Sequence, residues 1–199
     1  MSEPSYDACL VEAELRARSA YAQPERHYHD ERHLEECLRE LANVHDLGER
    51  ERRILRWAIL WHDAVYDPGL NRNEERSAEL AERELAGCSV DPADAAEVAR
   101  LIRVTERHRA DPGDLMAALL VSIDLAVLGS DPDRYAEYVA DIRKEYAHVP
   151  DPLWQAGRAA VLKRLLAVDP LYPDPRFQAA LGAQARTNMN AELRTLGEG

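Results

Sequence analysis

The stretch Ile54-Leu55-Arg56-Trp57-Ala58-Ile59-Leu60-Trp61-His62-Asp63-Ala64-Val65-Tyr66 decides how this chain is read. It is an apolar helical segment that closes on a histidine and an aspartate side by side, just before a turn marked by Pro68 and Gly69. Polar groups withdrawn from water cost free energy unless they find partners. A divalent cation suits both, because neutral imidazole and carboxylate are good donors to such ions. The plainer alternative is an ordinary helix end, with His62 at the C-terminus and Asp63 opening the turn.

The helical reading extends in both directions. Helices are expected from Tyr6 to Tyr21, from Asp30 (as N-cap) to about Val44, from Glu49 to Val65, and from Asn73 (as cap) to Leu85, with Gly87 as the stop. Further helices follow from Pro92 to near His108, from Asp114 to Leu128 and from Pro132 to Tyr146. Two more run from Pro152 to Val168 and onward from the Pro-rich connection at 169–175. The apolar run from Leu115 to Leu128 reads as a central buried helix and is too short to span a bilayer. No segment alternates with period two, and no internal repeat or long linker appears. The expectation is an all-α protein of roughly eight or nine helices in one compact domain.

Composition agrees. The 199 residues are 46% hydrophobic and 31% charged, with few aromatics and Phe177 as the single Phe, which favours helices over sheet. A formal net charge of -12 argues against a nucleic-acid duplex as partner and suits cation binding, leaving room for a local basic pocket. Cys9, Cys37 and Cys88 are scattered and odd in number, which predicts reduced thiols in a cytoplasmic protein rather than a disulfide framework or a thiolate zinc site. Met1-Ser2-Glu3-Pro4 carries no basic flank or apolar segment, so no secretory leader and no membrane partner is expected.

Three polar features interrupt apolar helix faces: His33, the His62-Asp63 pair, and Asp124 within Leu119–Leu128. Singly, His33 reads as a hydrogen-bonded core histidine and Asp124 as half of an ion pair with an arginine. Together they form a nitrogen–oxygen donor set suited to Mn, Fe, Co, Ni or Zn, and less so to Mg. Glu74 and Glu75 follow a Gly-containing loop, where a carboxylate can orient water or accept a proton; they also suit a helix first turn. His29 lies four residues before His33, on the same helix face, but Asp30 and Arg32 break both zinc-protease patterns. No P-loop, dinucleotide or serine-hydrolase motif is present. Trp57, Trp61 and Trp154 are expected in or near the core.

The order His, then His-Asp, then a later Asp on an apolar helix resembles the HD superfamily of metal-dependent phosphohydrolases. Arg26-His27-Tyr28-His29 with His33-Leu34, and Trp61-His62-Asp63-Ala64-Val65-Tyr66, look like a bacterial branch of predicted HD phosphohydrolases. So do Asn73-Glu74-Glu75-Arg76-Ser77-Ala78, Asp124-Leu125 with Leu128-Gly129, and Ile142-Arg143-Lys144-Glu145-Tyr146. The resemblance implies an HD-type helical bundle with a metal-site core at about residues 21–130 and helices from 131–196 packed on it. It makes His33, His62, Asp63 and Asp124 ligands of one divalent metal, with a second ion as the alternative. Members of the branch often carry another acidic residue two positions before the last ligand; here Ser122 stands there. Asp63 and Glu74 become the catalytic candidates, and Arg26, His29, His108 and Arg143 (with Lys144 behind them) the substrate-binding ones. The implied activity is hydrolysis of a small phosphorylated metabolite or nucleotide by a metal-activated water, as a phosphomonoesterase or phosphodiesterase. A homodimer is compatible with this reading. The alternatives are a catalytically silent nucleotide- or ligand-binding protein of the same fold, and a structural helical module with the four residues ion-paired.

Overall fold

The structure, a computed structural model, describes residues 6–197; the stretch Met1–Pro4 read above as lacking a leader lies outside them. The described residues form helices and no strand, as expected from their composition and periodicity. Nine α-helices follow in order: α1 (Tyr6–Tyr21), α2 (Glu31–Ala42), α3 (Glu49–Trp61), α4 (Asn73–Gly87), α5 (Pro92–Thr105), α6 (Leu115–Asp124), α7 (Pro132–Glu145), α8 (Asp151–Leu166) and α9 (Pro175–Thr195). A 3₁₀ segment, Leu125–Gly129, continues from α6. Two compact units divide between Arg109 and Ala110. The first holds α1–α5. The second holds α6–α9, so Asp124 groups with the C-terminal helices and not with the first five. Among the described residues, no single helix is long and apolar enough to cross a membrane.

In the first unit α3 is central. Ile54, Leu55, Trp57, Ala58, Ile59, Leu60 and Trp61 are all buried, and α3 packs against α1, α2, α4 and α5. Apolar residues on every side of its last two turns have a neighbour to meet, which is what an all-round apolar helix requires. Its start is fixed by the Gly48 N–H, which donates to the Glu51 carboxylate at 2.9 Å. Asp94, in the first turn of α5, binds Arg50 and Arg53 of α3 at 2.6 and 3.1 Å. Burial would push the Asp94 carboxyl up, but the bonds from Arg53 and Arg50 outweigh it and hold it below the usual range.

Helix α3 stops at Trp61, earlier than the Val65 that periodicity predicts. Beyond Trp61, side chains from other elements satisfy the backbone in place of helix bonds. The Asp63 N–H donates to the Tyr21 hydroxyl, and the Val65 N–H donates to the Ser77 hydroxyl, which donates back to the Val65 carbonyl. Arg26 donates to the carbonyls of Asp63 and Ala64. Asn73 is not the N-cap of α4 but its first residue. Its amide donates to the Asp67 carbonyl and so closes the loop between α3 and α4.

The thiol expectation needs correction: Cys9 on α1 and Cys88 just past α4 form a disulfide, with Cα atoms 5.4 Å apart, and only Cys37 is free. The scattered spacing concealed the pair because α1 and α4 meet only in the folded unit. The inference of a cytoplasmic location from reduced thiols loses its premise. The bridge spans 79 residues of chain, and reduction is expected to lower stability by about 2–4 kcal/mol. Denaturant unfolding with and without reductant measures this; coincident curves would show that the bridge contributes nothing.

In the second unit the expected long helix from Asp114 to Leu128 is divided. Helix α6 ends at Asp124, and the 3₁₀ segment leads to Gly129. Helix α9 packs there so closely that a Cβ on Gly129 would lie 2.5 Å from Leu181 Cβ. Asn188 of α9 donates to the carbonyls of Leu128 and Ser130, each at 2.9 Å. Ser122 is buried; its hydroxyl donates to the Ala118 carbonyl and accepts from the Asp174 N–H, linking α6 to the N-cap of α9. Arg158, Glu192, Tyr135 and Tyr138 make one buried polar cluster across α7, α8 and α9.

Two tyrosines of this unit set its behaviour in alkali. Burial pushes the Tyr135 hydroxyl well above its usual range, and the adjacent Glu192 carboxylate adds to the shift. Burial raises Tyr172 too, against a smaller opposing effect from the Gly129 backbone. The folded state therefore keeps protons that the unfolded chain loses near pH 10. Their stabilising effect is complete below about pH 10 and declines as pH rises toward the folded values, by up to about 1.4 kcal/mol per pH unit for each group. Chemical denaturation between about pH 9 and 11 should show this fall, and Tyr172→Phe should lessen it.

Candidate metal centre

Two helices and one turn of the first unit build the site. Asp30 caps α2, its carboxylate accepting from the Arg32 and His33 N–H groups, and this places His33 at the start of the helix with its imidazole buried. His62 is the C-cap of α3, and Asp63 follows in the turn. Packing of α2 on α3 brings the three side chains together. His33 Nε2 lies 3.1 Å from His62 Nε2. Asp63 Oδ2 is 3.0 Å from His62 Nε2 and 3.7 Å from His33 Nε2.

These separations suit one shared cation. Donors about 2.1 Å from an ion lie about 3.0 Å apart at a right angle and about 3.4 Å apart at the tetrahedral angle. The imidazole chemistry agrees. His62 Nδ1 is 2.8 Å from the Ile59 carbonyl, which assigns the proton to that nitrogen and leaves the Nε2 lone pair toward His33 and Asp63. A carboxylate oxygen 3.0 Å from Nε2 is met either by a metal ion between them or by a proton on Nε2. An imidazole whose other N–H donates to a backbone carbonyl is also the usual form of a metal-ligating histidine. The C-terminal end of α3 adds its negative partial charge to the same place.

The sequence reading passed over Cys37. His33, Cys37 and His62 are all buried, with donor atoms all within 4.8 Å of one another, and Cys37 Sγ is 3.8 Å from both ring nitrogens of His33. The signal was present: His33 and Cys37 are four residues apart on the apolar face of α2, where side chains at that spacing meet.

Around the donors, His29 stacks on Tyr66 with centroids 4.0 Å apart and meets His33 edge-on at 5.9 Å. Tyr28 lies 4.8 Å from the His33 ring. The Tyr21 hydroxyl is 3.4 Å from His62 Nδ1. Burial raises its pKa far above the usual value, with smaller opposing and reinforcing effects of His62 and Asp63, so it stays a neutral hydroxyl.

The residues assigned to substrate fare differently. Arg26 is buried, between the rings of Tyr21 and Tyr66 at 5.3 and 5.6 Å. Its guanidinium donates to the carbonyls of Asp63 (2.6 Å), Ala64 (3.1 Å) and His29 (3.2 Å) and to the Gln23 side chain (3.1 Å). Arg26 thus fastens the turn that carries Asp63. Lysine cannot reproduce this fork of donors. Arg26→Lys is therefore expected to weaken divalent-ion affinity about 10–100-fold, as loss of an outer partner does. Titration of the purified variant with manganese or zinc reads this directly; wild-type affinity would rule the role out.

Glu75 is bound bidentately by Arg103 at 2.9 and 3.0 Å, which lowers its pKa. Glu74, beside it in the first turn of α4, is half-buried. His108 sits in the turn after α5 with φ 48°, in the left-handed region, and is not in the buried donor group. Asp124 and Arg143 belong to the second unit. Asp124 ends α6, half-buried rather than enclosed in an apolar helix. Arg143 donates to the Tyr146 and Val149 carbonyls and to Asp151, and lies over Trp154, closing the turn between α7 and α8. Lys144 pairs with Asp141 at 2.7 Å.

No protein-family model, no curated protein and no solved structure matches this chain.

Proposed function

We propose that the first unit binds a divalent metal ion and that the protein is a phosphohydrolase of the HD type. The single observation that carries the proposal is the convergence of His33 Nε2, His62 Nε2 and Asp63 Oδ2, separated by 3.0 to 3.7 Å. Two imidazoles and a carboxylate on one face suit Mn, Fe, Co, Ni or Zn and leave ligand positions open. When bound, such an ion supplies Lewis acidity toward water and toward a phosphoryl oxygen.

The protein's own groups do the rest. The Ile59 carbonyl orients the His62 ring, and Arg26 and Tyr21 hold the turn that presents Asp63. His29 stacked on Tyr66 forms a wall beside His33. Glu74 is proposed as the group that accepts a proton from the attacking water, since its neighbour Glu75 is engaged by Arg103. The substrate class is a small phosphorylated metabolite or nucleotide.

A second reading is favoured by the use of Arg26 and Arg143 as donors to backbone carbonyls, which leaves these two candidate phosphate ligands already engaged. It keeps ligand binding at the site but removes turnover. One experiment separates the two. Metal content is measured by plasma mass spectrometry, and phosphomonoesters, phosphodiesters and nucleotides are incubated with the protein and manganese, cobalt, zinc or magnesium. Ion-dependent hydrolysis abolished by chelator is the expected result. Metal-dependent nucleotide binding without product would establish the second reading. Protein that takes up no ion would refute both.

A further inference from the structure

Cys37 belongs to neither the proposed hydrolytic set nor the disulfide, yet its thiol is buried among the ring nitrogens of the two site histidines. We infer that Cys37 is itself a metal ligand beside His33 and His62, a Cys-His-His donor group that selects zinc-class ions over magnesium. This inference rests on the metal-binding part of the function proposed above.

The distances support it. Nitrogen and sulfur donors at about 2.1 and 2.3 Å from one ion lie about 3.6 Å apart at the tetrahedral angle. Cys37 Sγ is 3.8 Å from His33 Nε2, and His33 Nε2 is 3.1 Å from His62 Nε2. His33 and Cys37 are one turn apart on α2, and both are at most 2% exposed. Soft thiolate disfavours magnesium and favours zinc or cobalt. On binding, the Cys37 S–H bond breaks, the proton passes to solvent, and the sulfur electron pair forms the bond to the ion. The ordinary alternative is a thiol packed against the His33 ring four residues away.

Cobalt(II) titration followed by absorption decides between them, because a thiolate ligand adds a sulfur-to-metal charge-transfer band in the near ultraviolet. Cys9 and Cys88 are joined to each other, so in the oxidised protein such a band can arise only from Cys37. The expected result is one cobalt per chain with that band in the wild type. Cys37→Ser and Cys37→Ala, checked for helicity by circular dichroism, should keep weaker cobalt binding without the band and lose at least about tenfold in zinc affinity. Cobalt bound without the band would overturn the inference and leave the hydrolase proposal standing. Absence of any cobalt or zinc binding would overturn both.

Discussion

His62→Ala is expected to abolish stoichiometric binding of divalent metal and, with it, any ion-dependent phosphoester hydrolysis. His62 is the donor shared by the two shortest contacts of the cluster, 3.1 Å to His33 and 3.0 Å to Asp63. Its ring is oriented by the Ile59 carbonyl at 2.8 Å, with Nε2 toward the other donors. The loss should exceed the roughly 10–100-fold that follows removal of an outer-shell partner, because a ligand itself is gone. The substitution also leaves a small cavity, and stability alone is therefore a poor readout. The informative comparison is the rise in melting temperature on adding metal. A ligand that binds only the folded state raises it in the wild type, whereas the variant should show no rise. A variant that keeps both the metal and the thermal shift would mean that His62 is an ordinary helix cap.

Glu192→Ala is expected to remove about 3–5 kcal/mol of stability, the range seen when one partner of a buried ion pair is deleted. Glu192 accepts two bonds from Arg158, at 2.7 and 3.0 Å, and one from the Tyr135 hydroxyl at 2.6 Å. Arg158 is 6% exposed and also donates to the Tyr138 hydroxyl at 3.0 Å. Burial opposes its charge, but Tyr138 and Glu192 more than offset that and hold the guanidinium protonated well above its ordinary range. Alanine at 192 thus strands a full positive charge and a phenol in the interior of the second unit. Replacing both partners, as Arg158→Met with Glu192→Leu, should cost far less than the single change, since the desolvation of both charges disappears together. Urea unfolding of the two single variants and the double variant gives the coupling. If the double variant is as unstable as Glu192→Ala, packing and not charge holds the three helices together there.

Much of the architecture was legible in short stretches of sequence. The Asp30 cap, the proline starts at Pro92, Pro132 and Pro152, and the glycine-bearing turns all operate within a few residues, and the helices lie close to where those signals put them. The errors are also local in origin. Periodicity carried α3 on to Val65, but Tyr21, Arg26 and Ser77 draw the peptides of 63–65 out of the helix. The same method carried α6 to Leu128, where the close approach of Leu181 to Gly129 and the bonds from Asn188 accompany a tighter 3₁₀ path. In both places distant side chains compete with the backbone ladder, and a reading of neighbours alone has no access to them.

The sequence by itself determined that this is an all-helical protein and that His62 and Asp63 close a buried helix. It also put His33 and Cys37 on one face of another, because helix periodicity and capping depend on contacts no more than about four residues apart. The tertiary structure alone decided that His33 meets His62 across 29 residues, that Cys9 finds Cys88, and that Arg26 holds the turn carrying Asp63. Those outcomes follow from which helices pack together, and packing is set by the shapes of whole apolar faces rather than by the spacing of any motif.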